Sequence, residues 1–448
     1  QEVFHHVGNI SVYDFLDEMA NGQFIDLSSA AEPYSRQFIA LKLQEIETQR
    51  DLLNQRQRND LDFFLRDFNK EIKPDKNFNK RFDLFYYKDS LFTFSVNPIL
   101  GVQYWTNENG SATHWWNGAE AFSYLGKHFG FYASLRDNHD REFLSDPDYL
   151  NQRMGAPYKG NGDFSEFRGG ITYAWKWGSF GLIKDHFAWG NNYHGANLFS
   201  GRTPSFAQIY LTMKPVHWFE FRYVHGWLIS EVVDSTRSYW YTSSYGPQYR
   251  EVFHPKYMAA NLFTFRPWKR LNVSFGNSIV YADLGVFPGY LVPLAFFKSI
   301  DHTTSEGIDN QNSQLFFDIS SRQIKNLHLY ATWFIDELST RNMFNKDRHS
   351  NFWSFKFGGR LSNYPLKNIS ITTEYTRSHP IDWLDATGLS AYKGRTNEDG
   401  STKIEIRHDC TIVVLFGHGA AATPHSFEFK HYCQAGGFVG CDAGATNN

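Results

Sequence analysis

The chain has 448 residues, of which 18% are aromatic and 20% are charged, and its mean hydropathy of -0.48 is hydrophilic. The formal net charge of -3 carries no basic surplus, so nucleic acid is not expected as a partner. No stretch approaches the roughly 20 consecutive apolar residues of a membrane-spanning helix, and the 3 cysteines are too few for a disulfide framework.

The first part of the chain has the periodicity of helices. Ser35 is positioned to cap one helix, because its hydroxyl can accept a bond from an unpaired amide of the first turn. We predict a small N-terminal α-helical bundle over residues 1-78. A second helix in it is predicted from apolar residues spaced i, i+3, i+4 and i+7, namely Leu61, Phe64, Leu65 and Phe68.

From about Arg81 the period of the apolar residues changes to two. Over residues 166–177, charged or small residues such as Arg168 alternate with apolar residues such as Phe167 and Tyr173. Successive side chains of a strand point to opposite faces of a sheet. The pattern therefore predicts long strands with one polar and one aromatic face.

The connections between these strands are short at one end of the sheet and long at the other. This asymmetry is typical of outer-membrane barrels, so residues 79-400 are predicted to form an all-β transmembrane antiparallel barrel, in which about 14 strands are recognisable. A soluble β-sandwich, which also alternates along its strands, is the main alternative. The long connections are roughly residues 137–164, 187–205, 227–255, 283–312 and 337–351.

The end of the chain departs from the barrel pattern. Residues 401-448 lose the aromatic alternation and become rich in Ala, Gly, Cys and His. A barrel of this class normally closes with an amphipathic strand. We therefore expect an atypical tail that is non-native sequence or a truncated barrel end.

Several short motifs occur in the order found in one known family. The stretches are NPILG at 97–101, GLIKDHFAWGNNYHG at 181–195 and TPSF at 203–206, together with VYDFL at 12–16. They resemble the capsule-assembly Wzi family, particularly its Bacteroidetes-like members, over about residues 8 to 380. The resemblance implies a barrel of up to 18 strands, which makes the prediction about 14 to 18 strands. It also implies a helical bundle on the periplasmic side of the outer membrane of a Gram-negative bacterium, and a lectin role in retaining capsular polysaccharide.

The candidate binding segment is the one that follows Asp185. It combines aromatic rings, which can cover the apolar face of a pyranose, with amides, histidines and an arginine that can bond hydroxyl or uronate groups. The alternative is a structural loop that folds into the barrel with its polar groups satisfying one another. The predicted polysaccharide-binding residues are Trp189, Asn191, Tyr193, His194 and Arg202.

Signals for other chemistry are few. No Gly-x-Ser-x-Gly occurs, so the chain is not expected to be an enzyme, and a barrel lipid hydrolase is the third alternative. Asp137, His139 and Asp140 are interpreted as turn residues, and no metal or other cofactor is expected. Charges of both signs on the predicted inner face leave an outer-membrane porin or solute channel as the second function. The expected partners are capsular or exopolysaccharide and outer-membrane lipids, and the chain is expected to be a monomer.

Overall fold

A computed structural model describes most of the chain. The described residues are 1–72, 83–107, 110–140, 163–194, 196–201, 203–230, 232–282, 285–304, 311–337, 352–378, 395–396, 402–403, 410–418 and 425–429.

The N-terminal segment is helical, as predicted. Ser35 caps the second helix, since its hydroxyl accepts a 3.2 Å bond from the Phe38 amide. Asn54 forms a capping box with Gln57 at the start of the third. Apolar residues of the helices, including Phe15, pack into one buried core. The elements are α1 (Ile10–Asn21), β1 (Ala31–Glu32), α2 (Arg36–Glu47), a 3-10 turn (Arg50–Leu52), α3 (Gln55–Asp67) and α4 (Asn69–Ile72).

The rest of the described chain is mostly antiparallel strands. The strands are β2 (Phe85–Lys88), β3 (Phe92–Asn107), β4 (Gly110–Leu125), β5 (Phe129–Asp140), β6 (Asp163–Trp175), β7 (Gly178–Asp185), β8 (Ala188–Trp189), β9 (Phe199–Ser200), β10 (Phe206–Val216), β11 (Phe219–Leu228), β12 (Tyr239–Ser243), β13 (Gly246–Arg250), β14 (Lys256–Trp268), β15 (Leu271–Ala282), β16 (Gln311–Ser321), β17 (Leu327–Glu337), β18 (Phe352–Ser362), β19 (Ile369–Ser378), β20 (Arg395–Thr396), β21 (Thr402–Lys403), β22 (Cys410–His418) and β23 (His425–Phe429). Sixteen of these described strands form one sheet, in the order β2 to β7, β10, β11, β14 to β19, β22 and β23, with β2 and β23 at its edges.

The sheet curls around the N-terminal segment. Tyr124 on β4 donates a 3.0 Å bond to Glu71, and Thr172 on β6 donates to the backbone of Glu2. On the far part of the sheet, Arg360 of β18 lies 3.3 Å from the Asp14 carboxylate. Strands far apart in the sheet order thus contact one helical segment, so the sheet forms a barrel wall with the segment inside.

The outer face of the wall is apolar. On β6 and β7, Ile171 is 53% exposed and Leu182 is 58% exposed, whereas Thr172 and Arg168 on the inner face are buried. Exposed apolar side chains that alternate with buried polar ones are what a lipid-facing strand requires. The predicted transmembrane antiparallel barrel with an N-terminal helical bundle is confirmed, and the described residues contribute sixteen strands to its sheet. Within the described residues, no helix is both long and apolar enough to span a membrane.

The N-terminal segment reaches the tight turns of the wall. The Asn326 amide donates to the backbone of Asn21 at 2.6 Å, and Arg56 donates to the Asn368 side chain at 2.9 Å. The helical segment therefore lies against the end of the barrel that has short turns. Its position on the periplasmic side of a membrane stays a prediction.

The predicted tail contributes two strands to the sheet. β22 pairs with β19, and β23 pairs with β22. Both strands lie within residues 401-448, beyond the predicted barrel range of 79-400. That the tail is non-native or a truncated barrel end stays a prediction.

A segment between β15 and β16 covers part of the outer face, which the sequence pattern did not indicate. It contains a 3-10 turn (Pro288–Leu291) and α5 (Phe297–Thr304). We call residues 285–304 the outer segment. Asn261 of β14 donates to two of its backbone carbonyls at 3.0 and 2.9 Å, and Asn277 of β15 accepts a 2.9 Å bond from the Phe297 amide. These bonds satisfy irregular backbone on a lipid-facing surface, where no water can do so.

Candidate functional site

The connection after β7 enters the barrel interior. β7 has only eight residues, and the chain leaves the wall at Asp185 and returns at Phe206. We call residues 186–205 the luminal strap. Its strands β8 and β9 pair with each other, and Trp189 of β8 lies opposite Ala31 of β1. A small sheet thus joins the strap to the N-terminal segment.

The strap is anchored on the opposite wall. The Asn191 amide donates to the Asp318 carboxylate of β16 at 2.9 Å, and its side chain bonds the same carboxylate. The Tyr193 and His194 amides donate to the two carboxylate oxygens of Glu374 on β19, at 2.7 and 3.0 Å. The strap therefore crosses the lumen from β7 to β16 and β19, and carboxylates on the wall bind its backbone.

The structure places four of the five predicted binding residues, Trp189, Asn191, Tyr193 and His194, on the strap inside the barrel. Trp189 is 2% exposed and packs edge-on against Phe187 and Phe199 at centroid distances of 5.3 and 5.4 Å. Asn191 is 1% exposed. Arg202 lies outside the described residues. The contacts of Trp189 and Asn191 are those of a structural loop folded into the barrel, which was the alternative interpretation, so their sugar contact stays a prediction.

The strap, wall and helices share a buried ionic network around Asp17. Arg322, which follows β16, lies 2.5 Å from the Asp17 carboxylate and also donates to the Asn21 side chain at 2.8 Å. The Tyr193 hydroxyl donates to Asp17 at 2.6 Å. Burial alone raises the pKa of Asp17, but Arg322, together with His328, Arg360 and the Tyr193 hydroxyl, outweighs this and holds the pKa well below its usual range. Asp17 is therefore ionised and fixes α1 to the wall.

A second set of residues connects the strap to β6. Arg168 donates to the Asp185 carboxylate at 2.7 and 3.0 Å, and Tyr132 donates to it at 2.7 Å. Glu166, two residues earlier on the same inner face, contacts His6 and His186 at 3.3 and 2.5 Å. The inner-face charges predicted from the alternation of β6 are thus paired with groups of the strap and the N-terminal segment.

The long-connection end carries an exposed aromatic hairpin between β11 and β14. We call β12 and β13 with their turn the aromatic hairpin. Cross-strand partners place Tyr239 opposite Arg250 and Tyr241 opposite Gln248, so these four share one face. Tyr239 is 49% exposed and Tyr241 is 41% exposed. The other face carries Trp240, which is 70% exposed.

The base of this hairpin is held by one carboxylate. Asp234 accepts bonds from the Thr236 and Arg237 amides at 2.9 and 3.2 Å and from the Arg237 side chain at 2.5 Å. The hydrogen bonds from Thr236 and Arg237 hold the pKa of Asp234 below its usual range. The hairpin is therefore an exposed platform on a fixed base. The sequence shows its aromatic residues but not their exposure.

Comparison with known proteins relates the chain to other barrels by fold. No protein-family model and no curated protein sequence matches it. It is similar to Wzi, an Escherichia coli outer-membrane protein involved in group 1 capsule assembly and a carbohydrate-binding β-barrel, with a TM-score of 0.47 and 11% identity over 93% of this chain and 81% of that one.

Two other similar structures are Salmonella typhi OmpF and Pseudomonas aeruginosa OpdQ. For OmpF the TM-score is 0.37, with 10% identity over 74% of this chain and 88% of that one. For OpdQ the TM-score is 0.32, with 12% identity over 66% of this chain and 73% of that one. At these values the similarity concerns the barrel fold and carries no argument about function.

Proposed function

We propose that the chain is an outer-membrane protein of a Gram-negative bacterium that binds and retains capsular or other surface polysaccharide without catalysis. The presence of the strap and the N-terminal segment inside the barrel is the observation that favours this proposal over a diffusion pore. The strap crosses the interior and the N-terminal segment packs beneath it, so the space that a diffusion pore needs is occupied by buried side chains such as Trp189 and Asp17.

The aromatic hairpin supplies chemistry suited to a polysaccharide. Tyr239 and Tyr241 offer ring faces for the apolar side of a pyranose, and Arg250 and Gln248 flank them on the same face. A guanidinium pairs well with a uronate carboxylate, and an amide bonds hydroxyl groups in both directions. The hairpin lies at the end with long connections, which in this class of barrel faces the cell exterior.

The test compares two sets of exposed tyrosines. Capsular polysaccharide purified from the producing strain is titrated against the full chain in nanodiscs, with Tyr239→Ala/Tyr241→Ala as the test variant. Two lost ring contacts at about 0.5 to 1.5 kcal/mol each predict roughly a 5- to 150-fold weaker affinity. Tyr364→Ala is the matched control, because Tyr364 is 60% exposed at the tight-turn end.

The control variant is expected to bind as the unmodified chain does. Unchanged binding by the double variant, or equal losses in both variants, would refute the hairpin as the site. Binding by no form of the protein, together with a steady pore conductance, would favour the porin alternative.

A further inference from the structure

The structure brings together three side chains of the types that bind metal ions, although they are far apart in the sequence. They are His6 of the N-terminal segment, Glu166 of β6 and His186 at the start of the strap. One potential ligand atom from each lies within 4.8 Å of the others. Both His Nε2 atoms contact the same Glu166 Oε1, at 3.3 Å for His6 and 2.5 Å for His186.

We propose that His6, Glu166 and His186 bind a borderline divalent transition-metal ion of the Zn²⁺ type. Two imidazoles and one carboxylate are a common protein ligand set for Zn²⁺. Bonds of about 2.0 to 2.1 Å in a tetrahedral site put ligand atoms about 3.3 Å apart. The 3.3 Å separation of His6 and Glu166 matches that value, whereas the 2.5 Å separation of His186 and Glu166 is shorter. A small shift of the Glu166 side chain would admit the ion.

A backbone carbonyl group orients His186 for this role. Its Nδ1 lies 2.9 Å from the Thr203 carbonyl oxygen, which can only accept a hydrogen bond. The Nδ1 atom therefore carries a proton. Nε2 faces the Glu166 carboxylate, and a metal ion bound there would displace the proton that Nε2 shares with Glu166. A ligating histidine whose other nitrogen donates to a backbone carbonyl is the usual arrangement at protein metal sites.

His6 requires one rearrangement. Its Nδ1 accepts a 2.9 Å bond from the Gly8 amide, so the neutral ring carries its proton on Nε2. Metal binding at Nε2 moves that proton to Nδ1 and releases the Gly8 amide, which is exposed and can donate to water instead.

The site has a route to solvent and a balanced charge. Glu166 and His186 line a cavity of about 180 Å³ that also contacts Ser205, which leaves room for a water as the fourth ligand. Arg168 is paired with Asp185, so Glu166 is the carboxylate left to balance the ion. The bound ion would join the N-terminal segment, the wall and the strap at one point.

The test uses Zn²⁺ alone with the tag-free full chain in detergent after chelator treatment. Calorimetry is expected to give saturable binding of one ion per chain, and Zn²⁺ is expected to raise the unfolding temperature. Glu166→Gln and His186→Ala are each expected to weaken Zn²⁺ binding about tenfold or more. Even the loss of a residue that only hydrogen-bonds to a ligand lowers metal affinity by about 10- to 100-fold. Co²⁺ is expected to give a tetrahedral visible spectrum that Glu166→Gln alters.

The matched control is His139→Ala. His139 forms a partly exposed pair with Asp163 at 2.8 Å and does not belong to the cluster, so its loss is expected to leave binding unchanged. Should His186→Ala fail to fold, His6→Gln with Glu166→Gln tests the same site. Absence of saturable binding, binding that survives all the ligand variants, or binding lost in His139→Ala would overturn the proposal.

Discussion

The buried Asp17 and Arg322 pair is predicted to hold the N-terminal segment in the barrel. Their side chains are 11% and 3% exposed and lie 2.5 Å apart, and Arg322 also bonds Asn21 at 2.8 Å and Ser29 at 3.0 Å. Replacing Arg322 with Met leaves the Asp17 carboxylate buried without its strongest cationic partner. Removal of one partner of such a pair costs about 3 to 5 kcal/mol, which raises the population with a released segment by roughly 10²- to 10³·⁵-fold.

Limited trypsin digestion of the folded barrel measures this release, because cleavage within residues 1–72 follows the open population when opening is fast. The double variant Asp17→Asn/Arg322→Met removes both charges and is expected to recover much of the loss. Asp62→Asn is the control, since its pair with Arg50 at 2.8 Å is 41% and 35% exposed and contributes about 0 to 1 kcal/mol. Equal cleavage rates in Arg322→Met and Asp62→Asn would refute this reasoning.

Three further predictions concern pH, the outer segment and the strap. Burial, then the charge of Asp17, raises the pKa of Glu32 from 4.5 to about 8. The stability that protonated Glu32 contributes is therefore fully present below pH 4.5 and is lost as pH rises through 8. Segment release measured by trypsin should therefore increase from pH 5 to 9, and Glu32→Gln should flatten this rise; an unaltered pH profile would contradict it. Asn261→Ala removes the donor to two carbonyls of the outer segment and should cost about 1 to 3 kcal/mol, seen as faster hydrogen exchange over residues 285–304, with unchanged exchange as the contrary result. Trp189→Ala should destabilise the strap by about 3 to 5 kcal/mol, seen as a lower unfolding temperature, and an unchanged temperature would show that its burial is not structural.

The strands of the wall could be predicted from the sequence because their alternating pattern lies within each short stretch of chain. A strand between lipid and a polar interior must alternate, and on β6 the exposed Ile171 and buried Thr172 follow that rule directly. The helix cap at Ser35 could likewise be predicted, since Ser35 and the Phe38 amide that it caps are only three positions apart.

The strap could not be located from the sequence in the same way. Its mixture of aromatic and amide groups fits an exposed sugar site and a buried crossing equally well. The crossing of the lumen depends on Asp318 and Glu374, more than 120 residues later, which accept bonds from the strap backbone. Non-local pairs of this kind leave no periodic signal.

Two further features were missed for the same reason. Asn261 and Asn277 lie on the outer face of their strands, where alternation predicts apolar residues. Polar side chains are accommodated there because the outer segment covers them and bonds to them. His6 and Glu166 are 160 positions apart, so their contact appears only in the fold. The sequence contains one weak signal for the outer segment, which is a polar residue where the strand pattern predicts an apolar one. For the contact between His6 and Glu166 the only signal is the presence of the histidine itself.

The central claim for this protein is that the strap and the N-terminal segment close the lumen. Single-channel recording of the purified full chain in planar bilayers measures this. We predict electrical silence at neutral pH for the unmodified chain, and steady conductance steps after deletion of residues 187–204. A large, steady conductance from the unmodified chain would contradict the account and identify the barrel as a pore.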